Sequence, residues 1–340
     1  MGMLMESSTH TAGSSAAGLR QRFRRTATRV LRIREAFLII IILAIIIVVS
    51  TLSPGFRTEA NFRAVMLGFS MEGMVVVGMT MLLVGGLFDL SVGSTMALSG
   101  MVTGDLLGHG LPLGLAILAG LASGALVGLV NGYIVSGLKV NALIATLGTM
   151  SIVRGIALTQ WQGQPVIDLP KSFTAIGQGV TWGVPVPLLI LIVLVILSDV
   201  VMRRARWFRQ IYYLGGSEKA AILSGINVNQ VRVLLFVLAG LLAALGGIVS
   251  TARLGAAYPN SYDNEALRVI AGAVIGGCSL FGGVGTVIGA VLGLLFISML
   301  TDIMVLFGVS PYMEGIVEGS ALILAVVIDL VVARRGLRRA

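Results

Sequence analysis

The stretch Gly85-Gly86-Leu87-Phe88-Asp89-Leu90-Ser91-Val92-Gly93 lies between two long apolar runs. It brings a carboxylate, a hydroxyl and several glycines to a place where hydrocarbon would surround them. A charged side chain at the centre of a bilayer costs at least about 2.5–3.5 kcal/mol, so such a group faces a protein interior or a water-filled path. Glycine lets the backbone bend there or approach a neighbour closely. The stretch predicts a membrane protein with a polar internal route.

Composition agrees. Of 340 residues, 56% are hydrophobic and only 11% charged, and the mean hydropathy is +0.99. A soluble domain carries about 25% charged residues, so this chain cannot cover itself with a soluble surface. Membrane helices tolerate glycine and use it for close packing, which suits the 45 glycines. Cys278 cannot form an internal disulfide, being the sole cysteine, and reads as a packed thiol. His10 and His109 are too few and too far apart for a metal site.

A crossing needs about 20 mainly apolar residues. Ten stretches qualify: 36–53, 63–84, 92–108, 112–133, 141–160, 184–202, 230–252, 266–281, 284–307 and 314–333. The expected fold is an all-α polytopic membrane protein of about ten transmembrane helices. The break at 282–283 predicts either a tight turn at Gly282-Gly283 or one broken helix. With the N-terminus inside, eighteen Lys and Arg flank the interior ends and five flank the exterior ends. The positive-inside bias then places both termini in the cytoplasm. It also explains the net charge of +9 without a nucleic-acid groove. Residues 1–35 read as a basic cytoplasmic tail, rich in Ser, Thr, Ala and Gly at its start and expected to be disordered. The transmembrane domain runs from 36 to 333, and 334–340 form a second basic tail. No clear small-x-small cleavage site follows Ser50, so the first apolar run is expected to be a retained anchor.

Three segments outside the bilayer are long enough to act. Exterior residues 161–183 suit a docking surface, a lid or an ordered connector. Exterior residues 253–265 carry Tyr258, Asn260, Tyr262, Asp263 and Glu265, which suit a carbohydrate, a protein partner or an interfacial belt. The largest interior loop, 203–229, contains Gly215-Gly-Ser-Glu-Lys-Ala-Ala-Ile-Leu-Ser-Gly-Ile226. Ser217 is a good N-cap, Glu218 suits the positive end of a helix, and Gly225 can stop one. A short helix is expected there, shaped for a groove on another protein or for lipid headgroups.

Inside the membrane, Gly120-xxx-Gly124-xxx-Gly128 and Gly285-xxx-Gly289-xxx-Gly293 read as close-packing faces. Gly85-Gly86 through Gly93 is echoed by Gly276-Gly277 through Gly285. The candidate pathway residues are Asp89, Ser91, Asn131, Asn141, Thr146, Thr149 and Arg154. With Thr149 and Ser151 nearby, Arg154 could donate to a polyol, or it could pair with Asp89 or Glu72. Glu314 and Glu318 share one helix face. None of the three lysines stands in a Gly-x-x-x-x-Gly-Lys-[Ser/Thr] loop, so the chain lacks that phosphate cradle. Two scattered histidines exclude a plausible Ser–His–Asp set. Energy must come from a partner, an ion gradient or the solute's own gradient.

These residues jointly resemble the permease subunit of ribose-type ABC sugar importers, over roughly 60–335. The resemblance rests on Gly85-Gly86…Asp89-Leu-Ser-Val-Gly93, Asn131-Gly132, Ile144-Ala-Thr-Leu-Gly-Thr-Met-Ser-Ile-Val-Arg154-Gly155, the 215–226 segment, Glu265, and Val274-Ile-Gly-Gly-Cys-Ser-Leu-Phe-Gly-Gly-Val-Gly285. It implies two permease copies, identical or not, two cytoplasmic ABC ATPase subunits, and a periplasmic or lipid-tethered sugar-binding protein. ATP and Mg would sit on the ATPases, with no cofactor on this chain. Ser217, Glu218, Lys219, Ala220, Ala221 and Gly225 would form the ATPase-coupling segment. Phe88 inserts a residue where the family reads Gly-Gly-Ile-Asp, and Leu267, Arg268, Gly272 and Cys278 also depart from its pattern, so the solute stays open. The rival reading is an ion-coupled secondary transporter of a small polar solute.

Overall fold

The computed structural model describes residues 35–310 and 312–337. Most of the basic N-terminal tail expected at 1–35, and the last residues of the tail expected at 334–340, lie outside the described residues. The chain is almost wholly helical: α1 Glu35–Leu52, α2 Glu59–Val84, α3 Val92–Gly108, α4 Leu113–Ser136, α5 Ala142–Gln160, α6 Lys171–Gln178, α7 Val186–Arg204, α8 Arg206–Gly216, α9 Glu218–Leu223, α10 Val228–Leu254, α11 Glu265–Ile275, α12 Val287–Leu306 and α13 Tyr312–Leu337. A two-stranded hairpin, β1 Val180–Thr181 and β2 Val184–Pro185, follows α6.

Among the described residues, seven helices (α1, α2, α4, α5, α7, α10 and α12) are long and apolar enough to cross a membrane. The core sits around two of them. In α2 and α10 the most apolar window is 83% and 61% buried, against 17–39% in the other five. The outer helices instead present large apolar side chains such as Ile40, Leu118, Ile144 and Ile196. Apolar groups on the outside and backbone satisfied within helices are what hydrocarbon requires.

With no water to expel between helices in lipid, close approach holds them together. On α4, a side chain at Gly124 would meet Ala244 Cβ and Gly240 O of α10, each at 2.5 Å, and one at Gly128 would strike Phe236 O. On α12, Gly289 packs against Gly276, the residue that caps α11, and Gly293 against Gly272 of α11. Gly285, expected on the same helical face, instead lies in the turn before α12 at φ +156°.

The two double-glycine echoes fold alike. After α2, Gly85 is right-handed and Gly86 left-handed, with Gly86 N bonded to Leu83 O and Leu87 N to Leu82 O. After α11, Gly276 and Gly277 repeat this, with Gly277 N bonded to Val274 O and Cys278 N to Ala273 O. Both are Schellman stops, in which the left-handed position favours glycine.

Nine predicted stretches each correspond to one helix within a few residues. The eighth, 266–281, does not. Its helix α11 has only 11 residues, about 16 Å or roughly half a hydrocarbon core. The other half of the passage is irregular. After the left-handed cap Gly255, Ala257 pairs with Val166 and lies against Gly104 of α3, and Tyr262 O lies against Gly93. The chain therefore returns beside α3 as irregular backbone, with a turn at Pro259–Asn260 and a left-handed Tyr262, and then continues as α11. The break at Gly282 and Gly283, both left-handed, is a tight loop between α11 and α12.

Candidate functional site

The turn between α2 and α3 holds three of the predicted pathway residues together. Asp89 Oδ1 accepts from Ser91 N at 2.8 Å and Ser91 Oγ at 2.6 Å. Asn131 of α4 reaches both carboxylate oxygens through Nδ2, at 3.3 and 3.2 Å, and Ser91 Oγ at 2.9 Å. Ser91 O accepts from the hydroxyls of Ser94 and Thr95, both at 2.9 Å. Asp89 thus folds back on the backbone at the start of α3, as short polar side chains do in turns. Asp89 is 1% exposed and Asn131 0%, so a solute cannot touch them in this conformation. Asn131 Oδ1 is buried without a partner.

The α5 residues are not part of that cluster. Asn141 caps α5 by accepting from Leu143 N at 2.8 Å. Thr146 and Thr149 turn their hydroxyls back onto Ala142 O and Ala145 O. Arg154 pairs neither with Asp89 nor with Glu72. Its guanidinium donates to Pro259 O and Ser261 O, each at 2.6 Å, and pairs with Asp263 at 2.7 Å. These carbonyls belong to the irregular half of the eighth passage, whose backbone has no helix to satisfy it. Non-helical chain inside a membrane protein needs such partners, and a planar guanidinium supplies several donors from one side chain. Beside the clamp a cavity of about 230 Å³ is lined by Leu90, Gly93, Ser94, Ser151, Arg154, Tyr262 and Asp263, among others.

One polar group escaped the sequence reading. Arg268 of α11 pairs with Glu72 of α2 at 3.1 Å and Glu318 of α13 at 3.2 Å, and donates to Thr301 of α12 at 2.7 Å. Four helices meet on one guanidinium. Charges inside the bilayer must pair, so an arginine in an apolar stretch with glutamates in two others was the available signal.

On the side where Arg203, Arg204, Arg206 and Arg209 cluster, the chain forms two helices rather than one. The expected helix over 215–226 is confined to α9, and Gly215-Gly216 instead end α8. Ser217 Oγ accepts from Ala220 N at 3.3 Å, and Gly225 is left-handed just beyond the end. Ala221 is buried, whereas Leu223 is 88% exposed. Glu218 pairs with Arg232 of α10 at 2.7 Å. Lys219 lies on the exposed side of α9. A cavity of about 620 Å³ opens here, between α9, the Gly86–Phe88 turn and the Lys139–Ala142 link. From α8, Tyr212 donates its hydroxyl to Gly285 O at 3.1 Å. Burial pushes Tyr212 up to about 12, which keeps that donor protonated in any working buffer.

No solved structure matches this chain. The ribose import permease protein RbsC of Escherichia coli K12 is 39% identical over 295 residues, 86% of this chain and 92% of that protein. RbsC of Bacillus subtilis is 36% identical over 287 residues, 84% and 89% of the two chains. The L-arabinose ABC transporter permease protein AraH of Azospirillum brasilense is 33% identical over 305 residues, 88% and 89%. Residues 61–326 match the family described as the branched-chain amino acid transport system permease component. With the match covering most of the chain, and relatives 33–39% identical over most of their lengths, the chain belongs to that permease family.

Proposed function

We propose that this chain is the transmembrane subunit of an ABC importer that carries a monosaccharide or similar polyol across the bacterial inner membrane. The observation that carries this reading is its likeness, across nearly their whole lengths, to permeases named for ribose and arabinose. Two kinds of contact support it. The cavity beside Arg154 offers hydroxyls, a guanidinium and a carboxylate, the donors and acceptors a polyol needs. The α9 helix offers exposed apolar side chains to a neighbouring protein.

In this reading the basic side, with α8 and α9, is cytoplasmic, as are both termini. A binding protein delivers the solute on the α6 side. Two ABC ATPases bind nucleotide and Mg and close against α9 of two permease copies. Solute passes the Arg154–Asp263 region, and a shift of the turn held by Asp89, Ser91 and Asn131 opens the way past Asn141, Thr146 and Thr149.

The test is reconstitution in liposomes with the cognate ATPase and binding protein, using labelled D-ribose and L-arabinose. Uptake that needs ATP and both partners is expected. Uptake driven by a proton or sodium gradient without the ATPase would replace this reading with ion-coupled transport.

A further inference from the structure

Three backbones from distant parts of the chain meet at glycines. Gly86 follows α2, Gly215 stands near the end of α8, and Gly282 and Gly283 lie in the loop between α11 and α12. A side chain at Gly282 would stand 2.8 Å from Gly215 Cα and 2.9 Å from Gly86 Cα. One at Gly215 would strike Val84 O and Gly283 N. Gly283 N also donates to Val84 O at 2.8 Å, so the two turns are bonded to each other. Tyr212, one helical turn before Gly216, adds its bond to Gly285 O. The α8 end is therefore pressed against the Schellman turn after α2 and the Gly282–Gly283 loop with no side chain between.

Contacts between bare backbones do not yield. A flexible side chain can change rotamer and absorb a small shift, whereas close-packed main chain passes it on. On one side of the joint, α8 leads through Ser217 directly into α9. On the other, the Gly86 turn leads within three residues to Asp89 and its bonds to Ser91 and Asn131. The Gly282 loop leads to α11 and α12.

We infer that this glycine joint is the contact through which displacement of α8 and α9 moves both turns together, with Gly215 and Tyr212 as its positioning residues. The inference rests on the proposed docking of an ATPase at α9. It adds the route by which that docking reaches the polar turn.

Adjacent glycines provide the control. A side chain at Gly216 meets nothing within 4 Å, whereas one at Gly215 meets backbone. The native Cys278, buried in the second loop, is the reporter. In the full complex, trapping the ATPase with ATP and vanadate is expected to change the rate at which Cys278 forms a mixed disulfide with methyl methanethiosulfonate by about threefold or more. Gly216→Ala should keep that response. Gly215→Ala and Tyr212→Phe should abolish most of it while basal ATP hydrolysis persists. If Gly215→Ala does not assemble, Tyr212→Phe decides. A wild-type Cys278 rate indifferent to trapping overturns the inference, as does a full response in Tyr212→Phe. A normal response in a complex that carries neither sugar would leave the joint standing and remove the sugar reading instead.

Discussion

Arg154 and Asp89 use charge to hold backbone, and each has a conservative variant that should fail. Lysine at 154 keeps the charge but loses the fork that reaches Pro259 O, Ser261 O and Asp263 at once. A buried acceptor left unpaired costs about 1–3 kcal/mol. Arg154→Lys should therefore speed amide exchange in residues 256–264 by about tenfold or more relative to the rest of the chain; mass-resolved exchange that finds no local change would exclude the clamp. At 89, asparagine turns an amide donor towards Ser91 and Asn131, which are themselves donors. Asp89→Asn should lose about 1–3 kcal/mol, seen as a lower unfolding temperature in detergent. The sequence marked both residues, because a charge in an apolar run stands out. It left the partner of Arg154 open between a solute, Asp89 and Glu72. The actual partners lie more than a hundred residues along the chain, and no local pattern points to them. The pairing of Arg268 with Glu72 and Glu318 was hidden for the same reason.

Helix contacts were easier to foresee where one spacing determines them. Glycines four apart share a helix face, and α4 does use Gly120, Gly124 and Gly128 to approach its neighbours. Other glycines do nothing of the kind, such as Gly148 on α5, which has no neighbour within 4 Å of an added Cβ. Gly124→Ala should cost about 1–3 kcal/mol, because the new methyl meets Gly240 O and Ala244 at 2.5 Å. Gly148→Ala should be neutral or stabilising by up to about 1 kcal/mol, since alanine is the better helix former. Thermal unfolding of the two purified variants, side by side, tests the pair; equal losses would mean that the α4–α10 contact is looser than described. The eighth passage was not foreseen because hydropathy counts side chains. Residues 266–281 are apolar apart from Arg268 and Ser279, yet the chain leaves the helix at Gly276, where a left-handed Gly277 completes the stop. The irregular half, 256–264, is polar enough to read as a loop. Only its course beside α3, from Gly104 to Gly93, places it within the bundle.

For the whole molecule, the question is what sets the gate. The polar turn is sealed, with Asp89, Ser91 and Asn131 all buried. Its hydrogen bonds are closed on themselves, apart from the lone Asn131 Oδ1. In the proposed reading the free energy that opens it comes from the partner ATPases. The push then enters from outside, and α9 is a short segment with most of its residues exposed. Leu223 stands almost fully exposed, and the helix touches its surroundings mainly through Ala221 and the Glu218–Arg232 pair. An exposed ion pair contributes little to folding, typically under about 1 kcal/mol. Gly225 is left-handed, so alanine there costs about 1 kcal/mol locally. Replacing Glu218 and Gly225 together by alanine should therefore leave a folded, membrane-inserted permease whose unfolding temperature moves little. In the reconstituted complex, ATP hydrolysis should continue while labelled sugar taken up per ATP falls about threefold to thirtyfold. Hydrolysis and uptake falling in the same proportion would mean that the ATPase has simply dissociated. An unchanged ratio would mean that the driving motion enters elsewhere, and the link from α9 to the sealed turn would have to be abandoned.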